Sequence, residues 1–224
     1  MSSFFNEHAA ASYIDGPPRQ VPGYAGLLRM AMLLLAERVP TVGRVLVLGA
    51  GGGLELKAFA DVHPDWSFDG IDPSAPMLQL AAKTTAEHAA RIQLHEGYID
   101  DAPHGPFDGA TCILVFHFMT REQRLAALRQ LRRRLKPGAP LVLAHISFPQ
   151  AEPERSVWID RHVAFGAAAG LTPEQMESAR QAIGTRLSIL DPAEEENLLR
   201  EAGFSDITQF HAAFSFRGWV AYAG

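Results

Sequence analysis

The chain has 224 residues, of which 47% are hydrophobic and 20% charged, and it carries a net charge of -5. That length builds one large core without leaving room for a second full domain. The acidic balance excludes a general basic face for phosphate backbones, so nucleic acid is not an expected partner. The one basic cluster is Arg129, Arg132, Arg133, Arg134 and Lys136. It falls on a helical pattern with Leu125, Leu128, Leu131 and Leu135 as apolar partners, which predicts a solvated helix face. The single cysteine, Cys112, lies in the apolar run 110 to 118 and reads as core. It cannot form an internal disulfide, which suits a reducing compartment. Residues 1 to 10 lack a basic segment followed by an apolar one, and the richest apolar stretch, 30 to 36, is too short to span a bilayer. A soluble, cytoplasmic, unprocessed protein with no membrane partner is expected.

Residues 24 to 39 have helical spacing, broken by Pro40, Thr41 and Gly43 before the apolar run 45 to 48. This run predicts a buried parallel strand, followed by a glycine turn over 49 to 53 and a second helix up to His63-Pro64. The alternation repeats with strand 67 to 71, helix 75 to 89, strand 92 to 96, strand 109 to 115 and helix 121 to 135. Lys136-Pro137-Gly138 stops that helix, and 140 to 146 supplies a fifth strand. Segment 149 to 190 is helical in pattern, with Thr172-Pro173-Glu174 as a helix start, and departs from the alternation. Asp191-Pro192 caps a helix ending at Gly203, and 207 to 216 with 219 to 223 predict two strands joined at Arg217-Gly218. The expected fold is α/β, a Rossmann-like doubly wound and mostly parallel sheet with a C-terminal antiparallel hairpin. One domain over 1 to 224 is expected: an N-terminal helical cap (1 to 42), a core (43 to 148 and 191 to 224) and a helical lid insertion (149 to 190).

Chemistry concentrates at two strand ends. In Gly49-Ala50-Gly51-Gly52-Gly53 the backbone can turn out of the strand and approach a ligand closely. Asp72 ends the second strand, where a carboxylate can accept both hydroxyl hydrogens of a ribose. Together they predict a nucleoside-bearing ligand. In a dinucleotide fingerprint the third glycine would stand at position 54, which is Leu54 here, so a pyrophosphate is disfavoured.

The Gly-x-Gly-x-Gly spacing, Asp72, Phe107-Asp108 and Leu135-Lys136-Pro137-Gly138 resemble, in that order, the class I methyltransferases. A closer resemblance, to the carboxy-S-adenosylmethionine synthases, is carried by Val21-Pro22-Gly23-Tyr24, by Leu35 to Arg38 and by Ile71-Asp72-Pro73-Ser74-Ala75-Pro76-Met77. The tail Ala202-Gly203-Phe204 through Phe214-Ser215-Phe216 adds to it. The resemblance implies S-adenosyl-L-methionine as cofactor, lined by Tyr24, Gly49, Ala50, Gly51, Gly53, Asp72, Pro73, Met77, Tyr98, Ile99 and Ile113. It also implies that Arg180 meets the carboxylate of a carboxylated sulfonium product, a task suited to a planar two-donor guanidinium. Three positions depart from the pattern. Gly97-Tyr98 stands where a Gly-Asp pair would contact the adenine amine, Ile113 replaces an asparagine, and Val47 replaces an acid on strand one.

The functional expectation is methyl transfer from S-adenosylmethionine to a small-molecule acceptor. The alternatives are a carboxy-S-adenosylmethionine synthase-like enzyme using prephenate and a non-catalytic S-adenosylmethionine-binding protein. Transfer from a sulfonium needs chiefly in-line positioning, so no elaborate catalytic motif is expected. His117, just past strand four, is the candidate general base, and His145, Asp160, His162 and Glu177 are further groups that can face an acceptor. The histidines show no paired ligand spacing, and no metal is expected. Tyr24, Trp158, Phe165, Phe214, Phe216 and Trp219 supply an apolar acceptor pocket, or, for Trp158 and Phe165 at helical spacing, a homodimer face.

Overall fold

A computed structural model of the protein describes residues 13 to 224. The leader reading made on residues 1 to 10 lies outside the described residues. After a 3-10 turn at Tyr13–Asp15 come two helices, α1 (Gly16–Gln20) and α2 (Tyr24–Ala36). The central sheet then alternates with helices: β1 (Arg44–Leu48), α3 (Leu54–Val62), β2 (Ser67–Asp72), α4 (Ala75–Thr84), β3 (Ile92–Glu96), β4 (Gly109–Ile113), α5 (Arg121–Arg134) and β5 (Pro140–Ile146). The insertion comprises α6 (Glu154–Ala168) and α7 (Pro173–Gln181), closed by a π-helical turn over Ala182–Arg186. The chain ends with α8 (Pro192–Glu201), β6 (Phe204–Ala213) and β7 (Phe216–Ala223).

The seven strands are ordered β3-β2-β1-β4-β5-β7-β6, with β7 antiparallel to both β5 and β6. β1 sits in the middle because its run of apolar residues is buried on both faces. Val45 and Val47 point to one core with Leu27, Leu35 and Phe59. Leu46 and Leu48 point to the other with Leu131, Leu198 and Trp219. This period of two divides the helices into two layers, α2 and α3 packing on one face and α5 and α8 on the other. Strand order reverses between β1 and β4, and in an open α/β sheet the crevice at the carboxyl ends of such a pair is the ligand position.

Several boundaries move, each for a local reason. The hairpin turns at Phe214-Ser215, not Arg217-Gly218, with Phe214 in the left-handed region at φ 51°. Arg217 and Gly218 instead pair in β7 with His145 and Ala144 of β5. The helix expected over 75 to 89 stops at Thr84, followed by a 3-10 turn over Ala86–Arg91. Thr84 and Thr85 hydroxyls donate to the carbonyls of Leu80 and Ala81, which competes with helix propagation. Strand four ends at Ile113 because Leu114 has φ 62°. The basic cluster is not uniformly solvated. Arg134 is 5% exposed, its guanidinium donating to the Gln130 side chain and to the carbonyls of Asp100 and Ala102. Arg132 donates to the carbonyls of Gly203 and Gly224, tying α5 to the C-terminal hairpin.

Candidate cofactor and acceptor site

At the end of β1 the backbone enters the glycine turn with Gly49 at φ 81° and Gly51 at φ 50°. A Cβ at Gly49 would stand 2.1 Å from Val115 Cγ2, so both conformation and space require glycine there. The turn is held by its neighbour strand. Gly49 and Ala50 N–H groups donate to the Ile71 carbonyl, and the Gly51 N–H donates to Asp72 Oδ2 at 3.0 Å. Asp72 Oδ1 accepts from the Ser74 N–H at 2.9 Å, while the Ser74 side chain caps α4 by accepting from the Met77 N–H. Burial pushes the Asp72 carboxyl above its ordinary value, against the pull of these two N–H groups. A carboxylate has about four lone-pair directions, so both oxygens retain acceptor capacity for a diol.

The predicted lining residues separate by exposure. Ala50, Gly51, Gly53 and Met77 are buried at the turn, with Met77 Cε 3.7 Å from a Cβ built on Gly51. Pro73 is exposed beside Asp72. Beyond β3, Tyr98 is 48% exposed while Ile99 is buried. Asp101 does not replace the missing adenine-contacting acid in any simple way, because its Oδ2 already accepts from the Tyr98 N–H at 2.9 Å. Ile113 is buried at the end of β4. Arg180 lies on the exposed side of α7, its Nη1 2.6 Å from Asp160 Oδ1.

Two residues not singled out by the sequence complete the turn. Tyr13 places its hydroxyl 2.6 Å and its Cδ1 2.6 Å from Cβ atoms built on Gly51 and Gly52. Glu55, in the first turn of α3, is 6% exposed. Tyr24, at the start of α2, is also buried, and burial pushes both phenols well above their ordinary range, with Glu55 adding to each shift. An acid one residue after Leu54 in the otherwise apolar start of α3 was the available signal.

At the ends of β4 and β5 the chain gathers three histidines. His117 lies in a 3-10 turn over Phe116–Phe118 and is buried; desolvation, then His145, Arg124 and His162, hold it well below its ordinary value. Its Nδ1 accepts from the Ile146 N–H at 3.4 Å, so the neutral ring carries its hydrogen on Nε2. His162 Nδ1 is 2.6 Å from Ser215 Oγ, and burial lowers its pKa to about 4. His145 Nε2 is 2.9 Å from Glu195 Oε1 without hydrogen-bond alignment. Glu195 pairs with Arg124, and although burial opposes ionisation, His145 and Arg124 hold its carboxyl below the ordinary range. The candidate apolar side chains pack within the chain: Trp158 against Phe148, and Phe165 against Phe214.

No helix among the described residues is long and apolar enough to cross a membrane. Asp61, Glu87 and His88 bring three metal-capable atoms within 4.8 Å on the surface, a grouping hidden from histidine spacing. Lys57 Nζ, at 3.0 Å from Asp61 and 3.7 Å from Glu87, shares it.

A seven-stranded sheet with this order, a glycine turn after the central strand and an acid after its neighbour define a methyltransferase fold. The family model described as a methyltransferase domain matches residues 45–138. That match, together with the similarities that follow, supports a divergent class I S-adenosylmethionine-dependent methyltransferase. It is similar to the carboxy-S-adenosyl-L-methionine synthase of Chromohalobacter salexigens, at 28% identity over 97% of this chain and 82% of that one. Among solved structures it is similar to an O-methyltransferase family protein from Burkholderia thailandensis, with a TM-score of 0.69 and 15% identity. That alignment covers 98% of this chain and 60% of the other. Human N-acetylserotonin methyltransferase gives a TM-score of 0.65 at 16% identity over 99% of this chain and 57% of that one.

Proposed function

We propose that the protein binds S-adenosylmethionine across the carboxyl ends of β1 and β2 and transfers its methyl group to a small-molecule acceptor in the cytoplasm. The observation that carries this reading is the coupling of the glycine turn to Asp72, which aligns a close-approach backbone with a ribose-accepting carboxylate. When bound, S-adenosylmethionine would supply an electrophilic methyl group to an acceptor lone pair, its sulfur keeping the bonding electron pair in S-adenosylhomocysteine. The protein's contribution is to orient the two partners and exclude water. Asp72 holds the ribose, Ala50, Pro73, Met77, Ile99 and Ile113 supply apolar lining, and Tyr98 offers a face for adenine. His117 stays neutral, but to accept the acceptor's proton at Nδ1 it must give up the long contact with the Ile146 N–H. Its Nε2–H is ready to orient an acceptor oxygen without that change.

Asp72→Asn is expected to weaken S-adenosylmethionine binding by roughly 10- to 100-fold, the loss of charge-assisted hydrogen bonds to a diol. Calorimetric titration checks this, and an affinity unchanged within two-fold would remove Asp72 from the site. Methyl transfer itself is tested with cofactor carrying a labelled methyl group and a panel of hydroxyl, amine and carbon-acid acceptors.

A second reading is favoured by the similarity to carboxy-S-adenosylmethionine synthases over almost the whole chain, together with Tyr24 and Arg180. In that reading Arg180 exchanges Asp160 for the carboxylate of the product. Incubation with S-adenosylmethionine and prephenate, followed by mass measurement of the cofactor, separates the two: a carboxylated cofactor supports the synthase reading, and demethylated cofactor supports transfer. Tight binding without turnover in either assay would support a non-catalytic role. A homodimer formed through the face carrying Trp158 and Phe165 is part of the proposal, and light scattering that detects only monomer would reject it.

A further inference from the structure

Glu55 is the one buried carboxyl at the glycine turn that lacks an explanation in the fold. It is 6% exposed, yet its Oε1 has no hydrogen-bond partner among the described residues. Thr111 Oγ1, on β4 opposite Val47 of β1, is likewise buried and unpaired. A buried carboxyl oxygen without a completed hydrogen bond costs free energy. The phenols of Tyr13 and Tyr24 lie near enough for the Glu55 charge to act on both, and Tyr13 packs against Gly51 and Gly52. The corner is therefore acidic, aromatic and walled by a backbone built for close approach.

We infer that Glu55 is the anchor for the α-ammonium of the cofactor's methionine portion, its unpaired oxygen receiving N–H donors, with Tyr13 and Tyr24 enclosing the cation. The inference rests on the S-adenosylmethionine reading and goes beyond it by assigning the residue that neutralises the amino-acid end. Of the cofactor's two positive groups, only the ammonium carries hydrogen-bond donors, and a donor is what Glu55 Oε1 lacks. A sulfonium could supply charge but no N–H. Aromatic faces add favourable contact with a desolvated cation. Burial pushes the Glu55 carboxyl up to about 7, offset in part by the Thr111 hydroxyl, which approaches without completing a hydrogen bond. Bringing an ammonium beside it draws the proton off, so binding releases protons near neutral pH. The other titratable groups facing it are Tyr13, Tyr24 and Cys112, all pushed upward and neutral there, and Asp72 across Tyr13.

The test compares S-adenosylmethionine, S-adenosylhomocysteine and adenosine on wild type and Glu55→Gln by calorimetry. The substitution is expected to weaken both amino-acid-bearing ligands by ten-fold or more and to leave adenosine within two-fold. Wild type in two buffers of different ionisation enthalpy should release about half a proton per S-adenosylmethionine at pH 7, from a carboxyl half protonated there. Its affinity should rise about five-fold from pH 6 to pH 7, and the variant's should stay flat. The proton count needs no substitution, so it holds the inference to account even if Glu55→Gln folds poorly. Equal loss of all three ligands, unchanged binding, loss confined to S-adenosylmethionine, or no proton release would each overturn it. Wild type that binds adenosine and neither sulfur compound would remove the inference while keeping the nucleoside site. Wild type that binds none would remove both.

Discussion

Glu195→Ala is expected to destabilise the protein by roughly 3 to 5 kcal/mol, the cost of leaving a buried charge without its partner. Arg124 is fully buried, and its guanidinium reaches Glu195, the Ser188 carbonyl and, at 3.1 Å, the Met119 carbonyl. Truncating Glu195 leaves that cation with carbonyl dipoles alone and also removes the group beside His145. For a chain of this size the loss corresponds to a fall of about 6 to 20 °C in Tm, measured by thermal or urea unfolding at pH 7. The effect should extend to the acceptor side of the site. Arg124 holds the Ser188 carbonyl, and the Ser188 N–H donates to the His117 carbonyl, so the pair fixes both the end of the insertion and the turn carrying His117. Arg124→Leu combined with Glu195→Ala should recover part of the loss, because the unpaired charge is gone. A single-variant cost below about 1 kcal/mol would show that water reaches Arg124 and that the pair does not brace the site.

The second large effect is a pH dependence set by Glu55. Its carboxyl rises from an ordinary 4.5 to about 7 in the fold, so the folded state holds the proton more tightly than the unfolded chain. The sign follows: the stabilising contribution is full below pH 4.5 and is lost as pH rises through about 7. The whole span is worth about 3 kcal/mol, of which about 2 kcal/mol falls between pH 5.5 and pH 8. Glu55→Gln should remove that portion and flatten the stability curve of the free protein over this range. Unfolding free energies at several pH values, with wild type and variant in parallel, measure the difference. Parallel curves would place the titration on another group. Added S-adenosylmethionine should flatten the wild-type curve in the same direction, because an ammonium compensates the ionised carboxyl. An ionised acid at this position thus works against stability, a common trade at binding sites.

Much of the site was legible before the fold was known. Gly49 to Gly53 and Asp72 were visible because a strand-end glycine turn and a strand-end acid are fixed by short-range spacing, and the structure joins them through a single hydrogen bond. Tyr24 is expected to line the cofactor only through the longer resemblance, and the structure places it buried at the start of α2. Tyr13 and Glu55 are not singled out by the sequence, since a helix start tolerates an acid and a surface tolerates a tyrosine, and the acid in the apolar start of α3 is the one signal for Glu55. Their significance comes from exposure and from the missing partner of one oxygen, which are properties of three-dimensional packing.

What the sequence by itself determined is the alternation of strands and helices, the buried character of β1, β4 and β5, and the chemistry at the ends of β1 and β2. Apolar periodicity and glycine punctuation act over a few residues, so they survive in a linear reading. Only the tertiary structure decided where the terminal hairpin turns, because Arg217 and Gly218 are claimed by pairing with β5 and leave Phe214 to take the left-handed turn. It also decided that Arg134 and Arg124 are buried and that Arg180 meets Asp160, each through a partner distant in the sequence. Long-range partners of this kind fix which charges are solvated and which buried carboxyl oxygen is left unpaired, because burial and pairing are set by the whole fold.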